Sequence, residues 1–94
     1  MKPIRLTEHA RKRAVQRGAS EDEIREAVSS GSREPGRRGK WQARAEFLRP
    51  FRSPVDGKVY NRRTVEAIFA DELDEIVVVT VKVYYSRGES EGED

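Results

Sequence analysis

The segment Ile76–Tyr85, IVVVTVKVYY, decides the fold. It is rich in β-branched residues, which lose side-chain freedom in a helix and pack well on a pleated surface, so it is read as the strongest strand of the chain. Val77, Val79, Val81 and Val83 form one wholly apolar face, while the other passes from Ile76 and Val78 to Thr80, Lys82 and Tyr84. A strand with one apolar face needs neighbours beside it and a layer above it. Working back along the chain, the acidic run 70–75 is a turn region. A second strand is expected from about Lys58 to Phe69, with Val65, Ala67 and Phe69 on one face and Arg62, Thr64 and Glu66 on the other. Pro50, Pro54 and the pair Asp56-Gly57 break the chain. Before them Trp41, Ala43, Ala45 and Phe47 alternate with Lys40, Gln42, Arg44 and Glu46, the period-two pattern of a half-buried strand.

Upstream of Gly39 the period becomes helical. Leu6, Ala10 and Ala14 sit at i, i+4 and i+8, with Thr7 as N-cap, Glu8 in the first turn and Gly18 as the stop, which predicts a helix near residues 7–17. Ser20 and Glu23 make a capping box for a second helix near residues 21–30, with Ile24, Ala27 and Val28 as its buried stripe and Gly31 at its end. Residues 31–39, GSREPGRRG, contain no hydrophobic side chain and are expected to form a mobile basic loop. The expectation is therefore an α+β domain over residues 1–87, with two N-terminal helices packed on a three-stranded antiparallel sheet in the order ααβββ. Residues 88–94, GESEGED, are expected to be an acidic disordered tail, because nothing in them can be buried.

Composition excludes several kinds of chemistry. At 94 residues the chain holds one domain. With 35% hydrophobic and 38% charged residues, its core must be thin and its surface heavily solvated. There is no cysteine, which removes disulfides, thiolate metal sites and a cysteine nucleophile. A single histidine rules out a metal site built on several imidazoles, and no metal or other cofactor is expected. No apolar run approaches a membrane span and the first residues carry no apolar signal region, so a cytoplasmic protein without a membrane partner is expected. The net charge of +2 conceals an asymmetry: residues 1–47 carry 12 basic and 7 acidic side chains, and residues 48–94 carry 7 and 10. Such a basic body suits a polyanion, because Lys and Arg release counterions condensed on phosphates.

Two stretches resemble a known family. The opening, His9-Ala10-Arg11-Lys12-Arg13 followed by Gln16-Arg17-Gly18 and the capped Ser20–Ile24, is similar to that of the bacterial family called domain of unknown function 4258. So is the close, Val77–Tyr85. The resemblance covers roughly residues 5–85. It departs at Ala19, where a larger aliphatic residue is common, and at Lys82, where a tyrosine is common. The resemblance implies a fold of the RelE and barnase type and a kinship with RelE-type toxins and small ribonucleases.

Metal-free RNA cleavage by that kinship's chemistry needs a base for the 2′-OH, an acid for the leaving oxygen and cations for the phosphate. His9 is the one imidazole; Arg13 and Gln16 lie at i+4 and i+7 from it on one helical face, with Arg5 a turn earlier. The expected catalytic set is His9, Arg13 and Thr80, meeting Lys82 or Arg44 in one concavity, with Glu46, Glu66 or a tyrosine completing it. The expected nucleic-acid contacts are Arg5, Arg17, Arg37, Arg38, Lys40, Arg44, Arg62, Lys82 and Tyr84. Three functions follow from this reading: a RelE-like ribonuclease or an inactive relative, a non-catalytic RNA- or ribosome-binding module, and a domain that binds an acidic antitoxin-like protein.

Overall fold

Helix α1 (Glu8–Arg17) forms where its caps dictate. The Thr7 hydroxyl oxygen accepts the Ala10 N–H at 3.1 Å, and Gly18 closes the last turn in the left-handed region at φ 87°. Helix α2 (Glu21–Ser30) starts on the expected capping box, with both the Ser20 and the Glu23 halves made. The computed structural model describes residues 2–87, so the acidic tail 88–94 lies outside the described residues.

The remaining elements are β1 (Ile4–Leu6), β2 (Arg33–Pro35), β3 (Trp41–Phe47), β4 (Phe51–Arg52), β5 (Val59–Tyr60), β6 (Arg62–Asp71) and β7 (Ile76–Ser86). The expected three-stranded antiparallel sheet is overturned. The chain builds a five-stranded mixed sheet in the order β1-β7-β6-β3-β2, and a separate two-stranded hairpin, β4-β5. The α+β class and the antiparallel run β3-β6-β7 hold. What the sequence pattern missed were strands of two or three residues, too short to show a period. Strand β1 pairs in parallel with β7, Ile4 opposite Ile76 and Leu6 opposite Val78. Strand β2 comes from the stretch expected to be a mobile loop. Its three residues are all exposed; Arg33 pairs opposite Ala43 and Pro35 opposite Trp41, and the Arg33 side chain adds an ion pair to Asp71. The expected second strand loses its start to the hairpin, because Tyr60 pairs with Phe51 and Val59 with Arg52.

The valine ladder of β7 is also split. The register runs Ile68 to Thr80 and then Phe69 to Val78, so Val79 has no partner on β6 and a bulge forms. One extra residue flips the faces. Ile76 and Val78 therefore join Val81 and Val83 toward the helices, and Val77 and Val79 turn to the other side. The core lies between the helices and this inner face. Phe69, Ile24, Val65, Val78 and Val81 are its largest fully buried side chains. The small Ala10, Ala14, Ala27, Ala43 and Ala67 let backbones approach closely. Among the described residues no helix covers the opposite side of the sheet, and its polar residues face outward.

Candidate nucleic-acid interface

Backbone register places the outward residues in rows. Gln42, Ile68 and Thr80 stand abreast across β3, β6 and β7; the next row is Arg44, Glu66 and Lys82, and the one after is Glu46, Thr64 and Tyr84. Above the first row the chain leaves β2 through a tight turn, Arg37–Gly39. The Gly36 N–H reaches the Lys40 carbonyl at 2.8 Å and the Lys40 N–H reaches the Arg37 carbonyl at 3.0 Å. Within it Arg38 takes a left-handed conformation, φ 55° and ψ 40°. The stretch expected to be a free basic loop is thus folded back beside the sheet.

The result is a cleft of about 850 Å³ lined by Arg37, Arg38, Lys40 and Lys82, with Gln42 and Ile68 as its other lining residues. Among the described residues, four cations and no carboxylate line it, and none of the four makes an ion pair. Most other arginines are engaged: Arg5 with Glu75 at 3.1 Å, Arg33 with Asp71 at 2.8 Å, and Arg63 with Glu23 at 2.6 Å. The cleft therefore concentrates unneutralised positive charge, which attracts phosphates.

Beside it lies a second, mixed depression whose lining includes Glu34, Gln42, Arg44, Glu46 and Glu66. Glu66 is buried, 4% exposed, and accepts from Arg44 Nη2 at 3.1 Å. That hydrogen bond, reinforced by the charge of Glu66, raises the Arg44 guanidinium above its ordinary pKa.

The expected contact residues divide cleanly. Arg37, Arg38, Lys40 and Lys82 converge in the cleft, and Arg44 stands next to it. Tyr84, 46% exposed, and Arg62, 4.0 Å from Glu46, continue the same side of the sheet. Arg5, paired to Glu75, lines a neighbouring depression with Lys40, Glu72 and Asp74. Arg17 is on α1, its carbonyl accepting the Tyr85 hydroxyl at 2.6 Å.

The expected catalytic set is not assembled on one side. Thr7 holds the start of α1 at the bulge, its N–H on the Val78 carbonyl at 3.0 Å and its hydroxyl donating to the Val79 carbonyl at 3.3 Å. From there α1 turns Ala10 and Ala14 into the core and leaves His9 exposed, while Arg13 bonds Gln16 at 3.2 Å. Thr80 shares the outer side with Gln42 and Ile68. Gln42 and Ile68 themselves escaped the sequence reading, because only strand register reveals that they lie abreast beneath the cations. The buried network of Glu23, Arg63 and Tyr85 escaped it too, since its partners are far apart in sequence.

A small α+β domain of two helices over one side of a mixed sheet, with a cationic cleft on the other, is the class that fold and site define. The chain belongs to the family described as Domain of unknown function (DUF4258), which matches residues 6–83. That span contains both helices, the turn Arg37–Gly39 and every residue that lines the cleft. No curated protein and no solved structure matches the chain.

Proposed function

We propose that this protein is a cytoplasmic RNA-binding module that grips RNA on the outer side of its sheet. The observation that carries this reading is the cleft itself, four cations without carboxylate partners around Gln42 and Ile68. Lys and Arg supply the sequence-independent grip on phosphates. The Gln42 amide offers a donor and an acceptor to a base edge, and the exposed ring of Tyr84 offers a stacking surface two rows away. These two groups favour RNA over an acidic antitoxin-like protein, which would use the cations alone. The RelE-type kinship implied by the sequence resemblance points to the same partner.

The test is fluorescence polarisation with a labelled single-stranded RNA. Lys40→Ala/Lys82→Ala should weaken binding roughly tenfold or more at low salt, because each lost phosphate contact removes part of the counterion release. Arg11→Ala/Lys12→Ala, which removes as much charge from α1, should change it little. Equal losses in the two variants would sink the reading.

One observation favours a second reading, a metal-independent ribonuclease. Glu66 is a buried carboxylate held by Arg44 in the row next to Gln42, a placement suited to a general base. Cleavage of the same RNA in EDTA, lost by roughly 100-fold in Glu66→Gln, is the outcome that reading requires.

A further inference from the structure

The cleft holds four cations, and beyond Arg87, which follows the strand that contributes Lys82, the chain carries four carboxylates with no base among them. These are Glu89, Glu91, Glu93 and Asp94. We infer that the acidic segment 88–94 docks in the cleft of its own chain and competes there with RNA. Charge complementarity is the first argument. The cleft cations have no ion-pair partner among the described residues, and a tethered polyanion meets them at an effective concentration of about millimolar.

Reach is the second. Strand β7 ends at Ser86, and Lys82 lies five residues before Arg87. At about 3.3 Å per residue that is a return of roughly 17 Å along the strand. Seven extended residues span up to about 25 Å, enough to turn back and bring Glu93 and Asp94 to Lys82. The third argument is the surface crossed on the way. Along β3 and β6 the carboxylates Glu46 and Glu66 already face arginines, Arg62 at 4.0 Å and Arg44 at 3.1 Å, so their repulsion is partly cancelled. The family match covers residues 6–83, so the acidic segment lies outside it.

Docking stands independently of the proposed function; competition with RNA rests on it. The absence of cysteine allows a single label, so Gly92→Cys carrying a nitroxide is placed in the full chain. At low salt the amide signals of Arg38, Lys40 and Lys82 should broaden, with those of Arg11 and Lys12 on α1 as the unaffected reference. The broadening should vanish near 0.5 M salt and in Lys40→Ala/Lys82→Ala. Cleft signals that stay as sharp as the reference overturn the docking.

In a second arm, Glu89→Gln/Glu91→Gln/Glu93→Gln/Asp94→Asn should raise RNA affinity about two- to tenfold at low salt and not at high salt. Unchanged affinity overturns the competition. If neither form binds RNA, the proposed function fails while the nitroxide experiment still decides the docking.

Discussion

Glu23 does two things at once. Its Oε1 accepts the Ser20 N–H at 3.0 Å and completes the cap of α2; its Oε2 takes Arg63 Nη2 at 2.6 Å and, more loosely, Arg49 at 3.5 Å. Arg63 is 9% exposed, lies over the Phe51 ring at 3.9 Å and also bonds the Tyr85 hydroxyl at 3.4 Å. Burial works against its charge, but the hydrogen bonds to Glu23 and Tyr85 outweigh that and raise its pKa further. Glu23→Ala strands this guanidinium as well as removing half a cap, and should cost about 3–5 kcal/mol in a urea titration. Arg49→Ala removes a far more exposed partner and should cost less than about 1 kcal/mol. Similar losses would show that the exposed Arg49, not the buried Arg63, is the partner that makes Glu23 matter. The cap was legible in the sequence because its partners are three residues apart. The pair was not, since 40 residues separate Glu23 from Arg63 and only the folded sheet brings them together.

Among the elements, β1 and β2 depend most on charge. Lys2 pairs with Asp71 and Arg5 with Glu75 at the β1 edge, and Arg33 ties β2 to the same Asp71 at 2.8 Å. The hydrogen bonds from Lys2 and then Arg33 hold Asp71 below the usual carboxylate range, and the one from Arg5 lowers Glu75. A carboxylate whose folded pKa is depressed stabilises the fold above its ordinary value, and that support is lost as the pH falls through the depressed folded value. Acidification below about pH 4 should therefore loosen both outer strands before the central ones. Hydrogen-exchange protection should fall more for Leu6 and Glu34 than for Val65 and Val81; a uniform fall would contradict this. The same two strands were illegible in the sequence. Three residues are too few to display a hydrophobic period: Ile4 and Leu6 of β1 pack on the core, and β2 is exposed throughout. The long alternations of β3 and β6 and both capped helices were legible because each spans several periods. The Val79 bulge was not, because a run of valines reads equally well in either register.

At the scale of the whole molecule, net charge is nearly uninformative and its placement is everything. Arg37, Arg38, Lys40 and Lys82 were each recognisable as basic, yet their convergence depends on β2 folding the turn back beside the sheet and on β7 lying two strands away. This yields a prediction that separates a local grip from general attraction. For single-stranded nucleic acid, the slope of log affinity against log salt is about −0.7 per phosphate neutralised. If the four cleft cations each neutralise one phosphate, the slope should be about −3, and Lys82→Ala should bring it to about −2. Lys12→Ala alters the net charge equally but lies on α1, on the helix side of the sheet, and should leave the slope at the parental value. Titrations between 50 and 300 mM salt resolve that difference. A slope that falls by the same amount in both variants would mean that RNA responds to the whole basic body, and that the cleft is only part of its field.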